Sequence, residues 1–146
     1  MPASAQPLLS VKTIDHITLV VRDLQEASRF YRDVLGMRPV ERPAFSFPGA
    51  WFQAGDTQIH MNIAGEEAGE PGIRVVGAKN APRAFHFAFE VADCDAAAEK
   101  LAGQGIAIEV APRNRPDGAR QMYVRDPDGH LVELYSRKPS RPVPAD

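Results

Sequence analysis

Cysteine is nearly absent: the 146-residue chain has one, Cys94. No internal disulfide can form, and a reducing, cytoplasmic setting is the expectation. No sign of charge dominates either. Seventeen Lys and Arg stand against nineteen Asp and Glu, for a net charge of −2. Without a broad positive field, a nucleic-acid partner is not expected. No apolar run reaches the roughly 20 residues that cross a bilayer, so no membrane partner is expected. The first ten residues, MPASAQPLLS, lack a basic segment followed by a long apolar one and do not read as a signal peptide. A Walker loop, a Rossmann glycine set, HExxH and CxxC are all missing, so nucleotide and zinc-protease chemistry find no support. Hydrophobic residues at 44% and charged residues at 25% are ordinary for a globular chain. About 150 residues bury about two-thirds of their unfolded surface, so no staple is required for folding. What remains is one domain over residues 1–146 that handles a small molecule.

The ordered chain divides in two. Residues 1–10 and 137–146 are rich in Pro and Ser and read as frayed ends. Residues 64–82 are rich in glycine and charge without periodicity, and read as a linker or lid. The two parts, 12–63 and 83–136, repeat each other. Each opens on an alternating strand, IDHITLVV (14–21) and FHFAFEVA (85–92), then an aspartate and a helix. Asp23 with Glu26 makes a capping box, and Leu24, Ala27, Tyr31 and Leu35 form one helical stripe ending at Gly36. Asp93 precedes a weaker stripe through Cys94, Ala97 and Leu101. Three further strands are expected in each part, near 37–44, 50–54 and 57–63, then near 106–111, 119–125 and 130–136. Gly55-Asp56 and Asp126-Pro127-Asp128-Gly129 supply the hairpin turns. The expected fold class is α+β: two βαβββ modules forming a cupped, barrel-like mixed sheet with the helices outside.

Four strands carry a metal-competent residue opposite their apolar stripe: His16, His60, His86 and Glu133. His16 and His86 each precede their helix-capping aspartate by seven residues. A lone strand histidine is ordinarily solvated. Here three of the four histidines occupy repeat-related positions on one face. If the apolar stripes pack on helices, the opposite faces curve around a cavity where all four groups converge. Imidazoles with a carboxylate suit one divalent ion such as Zn, Ni, Co, Fe or Mn. His130, after a turn glycine, is expected to be exposed.

The segments DHITLVVRD (15–23), FYRDVLGM (30–37), GDTQIHM (55–61), FHFAFEV (85–91) and DPDGHLVEL (126–134) resemble the vicinal-oxygen-chelate superfamily. That superfamily includes glyoxalase I, extradiol dioxygenases, methylmalonyl-CoA epimerase, fosfomycin-resistance transferases and bleomycin-resistance proteins. The resemblance implies paired modules around a metal site, with ligand positions at His16, His60, His86 and Glu133. It also implies a homodimer, and leaves open whether a cavity forms within one chain or across two. The pattern departs from each subfamily. Glyoxalase I usually has glutamate where His60 stands. The fosfomycin transferases and extradiol dioxygenases use two histidines and a glutamate, matching His16, His86 and Glu133. They place a functional tyrosine where Tyr123 stands.

The function implied is a glyoxalase-like lyase or isomerase. It chelates two oxygens of a small carbonyl substrate and stabilises an enediolate on the metal. An extradiol-type dioxygenase using Fe(II), a fosfomycin-resistance-like thiol transferase and a metal-free binding or resistance protein stay open. Glu133 is the expected base, with Tyr123 as a second catalytic residue and Glu90 as a weaker base or a rim charge. Trp51, Phe45, Phe47 and Phe52 are read either as a cavity wall or as core. Arg113, Arg115 and Arg120 are read either as a clamp for an anionic tail or as solvated surface. Cys94 is read as core.

Overall fold

The computed structural model describes residues 5–72 and 80–137. Both modules follow the expected order. The first has β1 (His16–Val21), α1 (Leu24–Arg29) running into a π-helical turn (Phe30–Val34), β2 (Arg38–Val40), β3 (Gly49–Ala54) and β4 (Thr57–Ile63). The second has β5 (Phe87–Glu90), α2 (Cys94–Gly103), β6 (Ile108–Asn114), β7 (Arg120–Arg125) and β8 (Leu131–Ser136). Each module is one four-stranded sheet, ordered β1-β4-β3-β2 and β5-β8-β7-β6. The first and last strands of each module pair in parallel and the other pairs are antiparallel. The α+β class is as expected, and the two sheets stay separate rather than closing into one barrel.

The helix starts follow from capping. Asp23 accepts from the Glu26 backbone N–H at 3.0 Å, and Asp93 accepts from that of Ala96 at 2.8 Å. The apolar stripes then meet: Leu19, Val21, Ile59 and Met61 are buried in one cluster with Ala27 and Tyr31 of the first helix. Cys94, Leu101, Met122, Val124, Val132 and Leu134 continue that cluster in the second module.

Several boundaries differ from the sequence reading, for local reasons. The strand expected at 37–44 shortens to Arg38–Val40, and Pro43, which has no N–H to give a ladder, instead accepts from Phe45 N at 2.7 Å. The strand expected at 106–111 runs on to Asn114 with two register shifts. It lies at a sheet edge, where Pro112 is tolerated. Phe85, placed by alternation on an apolar face, is exposed because the ladder begins only at Phe87. In the linker, Gly65 and Gly69 exchange backbone hydrogen bonds and Gly72 N donates to Val20 O at 3.0 Å. Residues 73–79 of that linker lie outside the described residues.

His130 is the clearest correction. It is 1% exposed, not solvated. Gly129, at φ +91°, turns the chain back so that the His130 ring meets Asp126. Asp126 also accepts from the Tyr31 hydroxyl at 2.8 Å, which links the two modules. A second link runs from the Arg22 backbone N–H to Asp128 at 2.9 Å.

Cys94 is core, as read. Its buried Sγ donates to Leu134 O at 3.6 Å. Burial first, and then nearby Asp95, push its thiol from 9.0 up to about 11. That rise means about a hundredfold less thiolate at neutral pH. A disulfide reagent is therefore expected to label the folded protein at least about a hundredfold more slowly than the urea-unfolded chain. Because the folded value is the higher one, this thiol's contribution to stability is full below 9.0 and fades as pH climbs to about 11.

Candidate functional site

The predicted site residues form two groups. In the first module, the parallel register sets Thr18 beside His60, and β3 sets Trp51 across from it. His16, His60 and Trp51 stand on the face opposite the helix. They stack: the His16 and His60 ring centres are 4.0 Å apart at 13°, and His60 and Trp51 are 3.8 Å apart and parallel. In the second module, Tyr123 lies opposite Glu133 across β7 and β8. Its hydroxyl donates to Glu133 Oε1 at 2.7 Å. The His86 ring meets the Tyr123 ring edge-on at 5.4 Å. Glu133 and Tyr123 are buried and His86 is half-buried.

Hydrogen bonds fix which ring atoms carry lone pairs. His86 Nδ1 is 2.9 Å from Ala84 O, an acceptor, so Nδ1 carries the proton and Nε2 is left as a donor atom for a metal. His16 Nδ1 is 2.8 Å from the Asp15 carboxylate, which likewise leaves Nε2. His60 is the reverse: Nε2 is 2.8 Å from Gln58 Oε1, which leaves Nδ1. Glu133 keeps Oε2 while Oε1 is engaged. Asp15, Gln58 and the Ala84 carbonyl were not singled out from the sequence. The available signals were adjacency to His16 for Asp15 and the two-residue, same-face spacing to His60 for Gln58.

Within one chain the four predicted ligands do not meet. Among the described residues, no three of His, Cys, Asp or Glu come close enough to hold one ion. His86 lines a cleft of about 800 Å³ with Ile17, Met37, Thr57 and Phe89, but His16, His60 and Glu133 do not. The His16–His60 stack carries its own constraint. Near-parallel rings aim their in-plane lone pairs alongside each other, not at one point. His60 must leave the stack before both can ligate one ion.

The electrostatics agree with neutral imidazole at His60. Its pKa is lowered, first by desolvation and then by the charges of His16 and Arg42, with Asp15 acting against them. Tyr123 is pushed up to about 12 by burial first and by its bond to Glu133 second, while Arg113 and Arg115 pull the other way. The phenol is protonated at neutral pH.

The remaining candidates separate. Phe52 is core at 3% exposure, because it alternates with Trp51 on β3. Phe45 and Phe47 are exposed and stack on each other. Arg120 makes a two-pronged bond to Asp95 at 3.0 and 3.1 Å, which takes it out of any anion clamp. Arg115 pairs with Asp117 at 2.7 Å. Glu90 lines the same cleft as His86 and lies 3.8 Å from Arg137.

The model of the Glyoxalase/Bleomycin resistance protein/Dioxygenase superfamily matches residues 13–134. The chain belongs to this superfamily. Its relatives include the uncharacterized protein YraH of Bacillus subtilis, 32% identical over 82% of this chain and 94% of YraH. Glutathione transferase FosA of Serratia marcescens is 30% identical over 86% of this chain and 81% of FosA. Among solved structures, a glyoxalase family protein from Bacillus anthracis superposes with a TM-score of 0.69 at 28% identity, covering 89% and 98% of the two chains. The vicinal-oxygen-chelate resemblance and the α+β architecture are thereby shown. No described helix is long and apolar enough to cross a membrane.

Proposed function

We propose that this glyoxalase-superfamily chain is a metal-dependent lyase or isomerase acting on a small carbonyl compound. One divalent ion (Zn, Ni, Co, Fe or Mn) would be held by His16 of one protomer and His86 and Glu133 of its partner in a homodimer. The observation that carries this reading is the donor chemistry. Each of the three groups has one polar atom tied to a neighbour and the other left over, the pattern of an oriented metal ligand. The donor set therefore fits the ion. When bound, the ion supplies Lewis acidity toward two adjacent substrate oxygens. The edge strands β1 and β5 leave backbone groups for a second copy to meet.

The chain's own residues do the rest. His60 stays in the cavity wall, stacked between Trp51 and His16. Glu133 is the proton-moving carboxylate, and its Oε2 could take a proton only when released from the ion, since Oε1 is held by Tyr123. Tyr123 stays protonated, orients Glu133 through Oε1 and keeps water from that atom. A thiol transferase is the second reading. It is favoured by two observations: the stack that holds His60 away from ligation, and the Tyr123–Glu133 bond. FosA, a relative at 30% identity, is a glutathione transferase by name.

The test is metal content by mass spectrometry, then anaerobic turnover with the matching ion. The expected result is about one ion per chain and isomerisation of the adduct of methylglyoxal and glutathione. Thiol loss with fosfomycin and no isomerisation would select the second reading. Failure to take up any of the five ions at stoichiometric level would sink both.

A further inference from the structure

Three side chains and one backbone carbonyl form a chain of hydrogen bonds along β3 and β4. Gln53, Trp51, Gln58 and His60 stand on one face, with Gln53 opposite Gln58 and Trp51 opposite His60. Gln53 Nε2 donates to Gly55 O at 2.7 Å, Gln58 Nε2 donates to Gln53 Oε1 at 2.9 Å, and Gln58 Oε1 lies 2.8 Å from His60 Nε2. The Gly55 end fixes the polarity. A backbone carbonyl only accepts, so Gln53 must turn its amide nitrogen to Gly55 and its oxygen to Gln58. Gln58 must then give its nitrogen to Gln53, which leaves its oxygen for His60. The His60 proton therefore sits on Nε2. Of the four histidines this is the exception: His16, His86 and His130 each bring Nδ1 to an acceptor.

The relay leaves His60 Nδ1 as a standing lone pair. His16 covers one face of the ring at 4.0 Å and Trp51 the other at 3.8 Å, so the ring is met only at its edge. Nδ1 has no partner and is open to solvent. A wall ring that only packs needs no fixed tautomer. Without Gln53, the Gln58 amide would be free to turn over and offer His60 either a donor or an acceptor. Gln53 thus adds polarity, not packing. We infer that His60 is a specificity-determining acceptor for the substrate, with Gln58 and Gln53 as positioning residues that keep its lone pair at Nδ1. His60 sits one ring away from His16, the ligand of its own module. The substrate class is then a chelating carbonyl compound that carries a hydroxyl or N–H donor beside its two oxygens. This rests on the chelation reading above and adds the substrate's donor group.

The test has two arms. Long-range proton–nitrogen NMR of the metal-free protein, at mildly alkaline pH where imidazoles are neutral, reads each histidine's tautomer. His60→Phe keeps a stacking ring without a lone pair and identifies the His60 signal by deleting it. The expected spectrum has one Nε2–H histidine, His60, beside three of the Nδ1–H form. Gln58→Lys puts a donor where the acceptor was, while Gln53 Oε1 still accepts from it, and should move the His60 proton to Nδ1. In the second arm, acetohydroxamate and N-methylacetohydroxamate are titrated into the zinc-loaded proteins, and the single tryptophan, Trp51, reports binding by fluorescence. Both probes chelate through two oxygens, but only the first has an N–H. It is expected to gain about fivefold in affinity over the second, relative to the same comparison in His60→Phe and Gln58→Lys. Affinity for the N-methyl compound reports that each variant keeps its fold and chelating end. If His60 carries its proton on Nδ1, if Gln58→Lys leaves the tautomer unchanged, or if either variant keeps the wild-type preference, the relay does not set substrate choice and the chelation reading stands. If neither hydroxamate binds the zinc-loaded protein, the chelation reading falls and this inference falls with it.

Discussion

Asp126→Ala is expected to lower stability by about 3–5 kcal/mol, because it strands buried donors on both modules. The Asp126 carboxylate is fully buried and accepts four hydrogen bonds. They come from the Tyr31 hydroxyl at 2.8 Å, His130 Nδ1 at 2.6 Å, and the backbone N–H groups of Asp128 and His130 at 2.9 Å each. Removing the acceptor leaves a phenol, an imidazole and two backbone N–H groups unpaired, and each such loss costs about 1–3 kcal/mol before relaxation. Burial first, and then the Asp126 charge, hold the Tyr31 phenol well above its ordinary pKa, so it stays a donor at any working pH. Asp126→Asn keeps the volume and one acceptor oxygen. It should cost about half as much, since one amide edge now faces donors. Urea titration of the three proteins checks this: the midpoints should fall in that order. Because Tyr31 and Asp126 belong to different modules, the alanine variant is also expected to broaden into two transitions when the modules are followed separately. A loss below about 1 kcal/mol would mean that surrounding water, not this carboxylate, satisfies the turn.

That network also marks where the sequence stopped being legible. The duplicated βαβββ order was readable because strand and helix periods are local, and Asp23 and Asp93 announce their helices within three residues. His16, His60, His86 and Glu133 were readable for the same reason, since period two decides which face a strand residue takes. The burial of His130 was not. It depends on Tyr31 and Asp126, which are 95 residues apart. Arg120 was misjudged on the same ground, its partner Asp95 standing 25 residues away on the helix side. Alternation placed His16 and His60 on one face, but it could not show that their rings stack. Ring stacking depends on side-chain torsions and on Trp51, which lies across the ladder.

Mixing two inactive variants should restore about a quarter of the wild-type activity if each site spans two protomers. His16→Ala alone and Glu133→Ala alone are both expected to lose metal and activity by about a hundredfold or more, since each removes a ligand from every site. In a mixed two-fold dimer, one site combines the intact His16 of the second variant with the intact Glu133 of the first. The other site combines both lesions. Random mixing makes about half the dimers mixed, and each has one good site. Metal content should recover by the same fraction, which separates reassembly of the site from any effect on turnover alone. If all ligands came from one chain, every chain in the mixture would carry a lesion and no recovery would follow. His60→Ala adds the internal contrast. With His60 as a wall residue it should keep metal near the wild-type level while disturbing the Trp51 fluorescence. With His60 as a ligand it should lose metal as His16→Ala does. The stacked geometry, with His60 bonded to Gln58 and sandwiched at 3.8 and 4.0 Å, favours the first outcome.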